Sequence, residues 1–302
     1  MPAVAVALCA LAIAGCGLGA GDEAGEAELT VTRDYGSELM LRAEPEVSES
    51  DTVLRLLDGE AEIETRFGGG FVQSIDGLAG GQGDGSRSDW FYYVNGVEAG
   101  IGAAEYEPAD GDRIWWDHRD WSAAMRVPAV VGSWPEPFLG GHGDERWAVG
   151  VYCGGAREPC AEVEGRLSER GVDTSEAAVA EQGADGEIRV LVGPWEEIGD
   201  DRVASLLAAG PERSGVFARF SGGGVSPRLE LLDRKGNVSE ALAAGAGLIA
   251  ALRPAEGPPT WVVSGTDAAG VAAAAELFGE ELRDRYALAT DEEGGELPLP
   301  VG

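Results

Sequence analysis

Along the first 120 residues apolar and polar positions alternate in short stretches, and beyond residue 146 longer apolar runs are interleaved with helical periodicity. A period of two marks half-buried strands and a period near 3.6 marks amphipathic helices. Residues 29–32 and 38–43 read as strands. Residues 51–57 read as a short helix capped by Ser50 or Asp51, with Val53, Leu54 and Leu57 inward. A strand at 71–75 runs into a turn, and 79–89 is a Gly/Ser/Asp-rich loop. The aromatic strand from Trp90 closes on Asn95-Gly96, the strongest short-range hairpin signal. Asp110-Gly111-Asp112 makes a second turn before a strand at 113–118. Strand, strand, helix, strands is the order of a small β-grasp-like α+β domain, placed at 28–121.

From residue 146 the rhythm is that of an α/β domain with a mixed sheet, placed at 146–302. Strands are expected at 147–152, 188–192, 215–220, 228–232, 247–252, 260–263 and 286–289; the run at 188–192 is apolar throughout, as in buried parallel strands. Helices are expected at 161–171, at 201–209 with Val203, Leu206 and Leu207 inward, and at 267–286. The last is the strongest: Val271, Ala274, Ala275, Phe278 and Leu282 share one stripe, and Thr266 or Asp267 is the N-cap. Residues 122–145, with three prolines and repeated glycines, read as a connector partly packed through Trp134 and Phe138.

Residues 1–21 carry no charged side chain. Their apolar run is too short to span a bilayer and fits the h-region of a signal peptide, 1–15. Ile13-Ala14-Gly15-Cys16 resembles a bacterial lipobox, in which the cysteine is lipidated; the departure is that no Lys or Arg precedes the apolar run. A flexible tether follows over 16–27. The resemblance implies a lipid-anchored protein at the outer face of the cytoplasmic membrane. Of four cysteines, Cys9 then leaves with the signal and Cys16 takes lipid. Cys153 and Cys160 are expected as a disulfide, since two thiolates without a nearby His make a poor zinc set.

Within 28–121, the segments FVQSIDGL and DWFYYVNGVEAGIGAAEYEPADGDRIWWDHRDW resemble the transcobalamin-type C-terminal domain, the small β domain that closes cobalamin carriers. The resemblance is most specific from Trp90 to Trp121, including Ala104-Glu105-Tyr106-Glu107-Pro108-Ala109-Asp110-Gly111. It implies an extracytoplasmic ligand-binding role, with cobalamin or another corrinoid as ligand and no intrinsic cofactor. Carried over by position, the ligand-binding residues are Trp90, Tyr92, Asn95, Gly100, Ile101, Gly102 and Tyr106. The carriers close cobalamin against a helical toroid that has no counterpart in this sequence, so the resemblance also implies a helical partner and an importer. Alternation sets Trp90, Tyr92 and Val94 on one strand face and Phe91 and Tyr93 on the other, so one set is core whatever the function. For the same reason one of Trp115 and Trp116 is expected buried and the other partly exposed.

The chain has 54 Asp+Glu against 22 Lys+Arg, a formal charge of −32, and one lysine, Lys235. No basic footprint for nucleic acid exists. Up to Trp121 there are 24 acids and 7 bases, and beyond it 30 and 15. The recognisable domain is the more acidic, which favours a bulky neutral ligand there. Chemistry is sparse. Asp110, Asp112, Asp117 and Asp120 lack the EF-hand register, so Asp110-Gly111 reads as a turn and no metal site is assigned. His118 reads as solvated and His142 as a loop residue. Ser264-Gly265-Thr266-Asp267 opens a helix without a P-loop Gly-Lys pair and reads as capping. No Ser-His-Asp order is present, so a non-enzymatic role is expected. The alternatives are a cell-envelope adhesion or scaffold module binding protein or glycan through the same aromatics, and a hydrolase in the α/β half.

Overall fold

A computed structural model describes residues 23–302, apart from 84–85, 156, 182 and 223–226. The expected signal peptide and Cys16 lie outside the described residues. The chain is α+β throughout.

The first sheet has the order Val97–Glu98, Ser86–Val94, Arg113–Asp120, Glu28–Arg33, Glu38–Ala43, with Gly81–Gly83 added beside Ser86–Val94. The first long strand lies parallel to the last, with Thr30 opposite Trp115 and Thr32 opposite Asp117, and every other pairing is antiparallel. This is the β-grasp arrangement. Helix Val53–Glu60 crosses one face, capped by Thr52, whose hydroxyl accepts the Arg55 N–H; the cap is one residue later than expected. Val53, Leu56 and Leu57 are its buried residues, packed against Trp90, Tyr92 and Trp116.

Part of the expected tether is structured. Glu23–Glu26 pairs antiparallel with Glu46–Ser48, and Ala27 is buried, because Asp110 and Pro45 accept the N–H groups of Glu26 and Ala27.

The second sheet has seven strands in the order Thr174–Ala178, Ala148–Cys153, Glu187–Pro194, Thr260–Gly265, Gly247–Leu252, Ala287–Thr290, Glu296–Leu299. The first four are parallel and the rest antiparallel. Its central strands are buried on both faces, as their unbroken apolar runs predict. The edge strands Thr174–Ala178 and Glu296–Leu299, and Val238–Leu242 of a separate three-stranded sheet, are only four or five residues long and carry no strand signature in the sequence. Cys153 and Cys160 form the expected disulfide, which ties a strand end to helix Arg157–Glu169.

The stripe Val271, Ala274, Ala275, Phe278 and Leu282 is buried as its spacing requires, but the helix stops at Glu276. The chain turns at Gly279 into a single 3-10 turn, Glu280–Leu282, and Arg283 and Asp284 thereby reach Glu28 and Arg42 of the first unit. Asp284 N–H donates to the Gly132 carbonyl, and Val131 N–H to that of Tyr286. Residues 122–145 are therefore not a loose connector. Val127, Val130, Val131, Trp134 and Phe138 are all buried; Trp134 meets Phe278 edge-on at 4.9 Å between ring centres, and Phe138 meets Trp261 and Phe278 at a tilt, at 4.8 and 6.1 Å.

The two units share a core. Tyr35, Tyr93 and Trp115 of the first sheet pack with Tyr286 and Phe217 of the second unit. Consequently Trp115 and Trp116 are both buried, since the helix covers one face of the first sheet and the second unit covers the other. His118 is half-buried rather than solvated, edge-on to Trp90, with its Nε2 buried and unpartnered.

At the centre of this shared core, Asp117 accepts four hydrogen bonds: Thr32 Oγ1 at 2.6 Å, Gly36 N–H at 3.1 Å, Tyr35 N–H at 3.0 Å and Tyr286 OH at 2.9 Å. Thr32 Oγ1 in turn accepts from Trp115 Nε1. Burial pushes the Asp117 carboxyl above its ordinary range while Thr32, Gly36 and Tyr286 pull it back; four donors and no donated bond are what an ionised carboxylate takes. Tyr286→Phe removes one donor and is expected to cost about 1.5–3 kcal/mol. Asp117→Ala strands four donors and should cost at least about 3 kcal/mol. Urea unfolding followed by tryptophan fluorescence and by far-UV circular dichroism checks both, and wild type should show one coincident transition for the two units.

Candidate functional site

The hairpin turn requires residues that accept a left-handed backbone, and Asn95 and Gly96 have φ of 53° and 77°. Asn95 is fully buried. Its Nδ2 donates to Asp112 Oδ1 at 2.7 Å and to the Gly141 carbonyl at 3.0 Å, and its Oδ1 accepts from Arg113 N–H at 2.8 Å. It therefore locks the hairpin to its neighbouring turn and has no donor left for a ligand.

Trp90, Tyr92 and Tyr106 are buried as well. Trp90 Nε1 donates to the Leu78 carbonyl at 2.9 Å, Tyr92 OH to the Ile101 carbonyl at 2.6 Å, and Tyr106 OH accepts from Gly143 N–H at 3.0 Å. Tyr92 stacks on Trp116 at 4.8 Å. Burial holds both tyrosine hydroxyls protonated well beyond their ordinary range. Four of the seven residues assigned from the resemblance thus lie in the core, with their side-chain polar atoms partnered inside the protein. The remaining three, Gly100, Ile101 and Gly102, are on the surface, with Ile101 51 % exposed and its carbonyl held by Tyr92.

Those three adjoin a feature the sequence reading passed over. A Cβ on Gly102 would come within 3.3 Å of the Gly70 carbonyl, so the Gly100–Gly102 turn abuts the 3-10 turn Phe67–Gly69. Phe67 there is 89 % exposed at a positive φ of 54°, an unusual conformation for an aromatic residue. Its ring meets Phe71 at 6.5 Å, and both line a cleft of about 380 Å³. Trp121 forms another aromatic wall, with the Arg87 guanidinium 5.3 Å from its ring centre. Arg66, Gln73, Asp89 and the glycine backbone at Gly80-Gly81 supply polar groups. Asp89 is pushed upward by burial. The only signal for this cleft in the sequence is Phe67 standing before three glycines, where a core phenylalanine has no reason to be.

The four aspartates do not converge. Asp110 accepts from Glu26 N–H, Asp112 faces Asn95, Asp117 faces the shared core and Asp120 accepts from Ser122 N–H. Among the described residues no group of three or more His, Cys, Asp or Glu is placed to hold a metal ion. His142 lies against Tyr106 and Trp147, its Nδ1 3.1 Å from the Val94 carbonyl, and burial lowers its pKa. At the start of helix Ala268–Glu276, Asp267 accepts Gly270 and Gly245 N–H groups, and Ser264 donates to the Gly193 carbonyl, so this segment caps the helix.

Residues 50–119 match the model of a family described as a domain of unknown function, DUF4430, which is transcobalamin-like. The solved structures include a Ruminococcus gnavus protein described as a candidate metal-binding protein. It is 16 % identical, the alignment covers 32 % of this chain and 97 % of that one, and the TM-score is 0.25. No curated protein matches the chain.

Core and surface aromatics should separate by thermodynamics. Trp90→Ala is expected to cost about 3–5 kcal/mol of unfolding free energy, whereas Phe67→Ala should stay within about 0.5 kcal/mol of wild type; urea titration checks both.

The pH dependence follows from Glu98, Asp112, Asp117 and Glu136, all raised chiefly by burial. A carboxyl raised in the folded state holds more protons there than when unfolded, so its contribution is present below the unfolded value of about 4 and lost as pH rises through the folded one. His142, lowered in the fold, acts oppositely, losing stability as pH falls below about 6.5. With Asp89 and Glu164 also raised, burial-raised carboxyls outnumber the one lowered imidazole, and self-repulsion of a −32 chain grows in the same direction, so stability should fall as pH rises from about 4 to about 7.5. Urea midpoints across that range measure it, and Glu136→Gln should flatten the slope.

Proposed function

We propose that the chain is a non-enzymatic, lipid-anchored protein of the outer face of the cytoplasmic membrane, which binds a bulky neutral ligand of the corrinoid class and hands it over. The observation that carries this reading is the cleft between Phe67, Phe71 and Trp121, whose lining except Trp121 lies in the segment 50–119 that matches a transcobalamin-like family. Aromatic walls supply contact area at low conformational cost. The glutamine, arginine and open glycine backbone beside them suit a ligand edged with amides. The cleft is too small to enclose a corrin and is open on one side, so it takes an edge or substituent of the ligand while a helical partner covers the rest. The excess of acids over bases up to Trp121 disfavours anions and leaves a neutral ligand unaffected. An importer would receive the ligand at the membrane, where lipid on Cys16 would keep the chain.

A second reading, an adhesion or scaffold module, is favoured by one observation: Phe67 stands almost free of the protein surface, as an anchor for a protein or glycan does.

Equilibrium dialysis of the full chain in detergent against cobalamin, alone and with a co-encoded helical protein, tests the leading reading. Saturable binding that weakens about tenfold or more in Trp121→Ala and in Phe67→Ala supports it, a loss equal to about 1.4 kcal/mol. Absence of binding in both arrangements overturns it. Retention on cell-wall material that is lost in Phe67→Ala and indifferent to cobalamin would establish the second reading instead.

A further inference from the structure

The shared core leaves a cleft of about 590 Å³ where residues 126–128 pass the second unit. Three segments remote in sequence each bring an arginine to it: Arg126, Arg213 from the turn Pro211–Ser214, and Arg253 after strand Gly247–Leu252. Arg253 is only 10 % exposed; its Nε donates to the Gly257 carbonyl at 2.7 Å and its Nη2 meets Glu256 at 3.2 Å, so its guanidinium is held in place. Arg126 is steadied through Nε by Glu98, 3.4 Å away. The Arg213 guanidinium has no hydrogen-bond or ion-pair partner among the described residues, its backbone N–H donating to the Gly210 carbonyl. Pro128, Leu206, Leu252 and Pro254 supply apolar walls between them.

We propose that this cleft is a binding site for a small organic carboxylate, with its carboxylate on the arginines and its apolar body against the prolines and leucines. It is independent of the corrinoid cleft, which lies in the first unit. Guanidinium is the group that meets a carboxylate with two parallel N–H donors, and a side chain already held by its neighbours loses little freedom on binding. The overall charge of −32 argues against an anion only at long range, because at physiological ionic strength exposed charges beyond about 8 Å are largely screened. Inside the cleft the balance is set locally. Glu212 and Glu256 also border it; Glu256, 96 % exposed, is engaged by Arg253 Nη2, so Arg213 is the cation of the cleft left without a carboxylate partner among the described residues. A volume of this size accommodates a ligand of modest dimensions.

The test is a titration of 4-(trifluoromethyl)benzoate with the full chain in detergent, followed by 19F NMR, beside the uncharged 4-(trifluoromethyl)benzamide. Saturable broadening of the carboxylate signal alone is expected. It should weaken at least about fivefold in Arg213→Gln and in Arg126→Gln and keep its wild-type strength in Arg55→Gln, a surface arginine of the first unit that donates to the Ser50 carbonyl. Urea midpoints of the variants confirm that each is folded. No saturable binding, equal binding of the amide, or wild-type affinity in Arg213→Gln would overturn the proposal, and none of these bears on cobalamin binding.

Discussion

Everything in this molecule is arranged around a carboxylate with no access to water. Asp117 sits on the last strand of the first sheet and is satisfied partly by its own unit, through Thr32, Tyr35 and Gly36, and partly by Tyr286 of the second. An isolated charge in such a place would be prohibitive. It is tolerable only while both units are docked, so the requirement to satisfy one side chain couples two sheets. Tyr93 donates to Tyr286 and Trp115 to Thr32, which extends the network into the aromatic core around it. Arg119, fully buried two residues on, is held by the Ala124 and Met125 carbonyls and lies 3.7 Å above the Phe91 ring, so the segment entering the second unit is bound to the same strand.

Ion pairs frame this core where it reaches the surface. Glu28 meets Arg42, Arg113 and Arg283, Arg42 also meets Asp284, and Arg234 meets Asp34 at 2.9 Å. Several of these join one unit to the other. In a chain with far more acids than bases, placing arginines where carboxylates from both units converge relieves repulsion at the contact. Pairs this exposed are individually weak; a network around one glutamate also fixes the docking angle.

Docking has a consequence for ligand binding. A β-grasp sheet covered on one face only could offer the other to a flat ligand. Here the helix takes one face and the second unit the other, so the hairpin aromatics are all structural. What remains available lies at the rim, where the Phe67 turn, the Gly100–Gly102 turn and Trp121 come together. The Phe67 turn costs backbone strain for a non-glycine residue, and it places an apolar ring in water.

Local pattern determined a great deal. Alternation placed strands at 29–32, 38–43 and 113–118, within one or two residues of those observed, Asn95-Gly96 placed the hairpin, the apolar runs placed the central strands of the second sheet, and the stripe from Val271 to Leu282 named its buried face correctly. The resemblance from Trp90 to Trp121 located the domain that the family model matches. These features are legible because each is set by contacts within a few residues or by a single buried face. Tertiary structure alone decided the rest. Whether Trp115 or Trp116 is the buried one has no answer in alternation, because a second unit covers the other face and buries both. The helix at 268–276 stops early, and 122–145 becomes core, because Arg283, Asp284 and Val131 have partners more than a hundred residues away or in another element. Two sets of residues that no local period connects, Phe67 with Trp121 and Arg126 with Arg213 and Arg253, become neighbours only when the chain closes on Asp117.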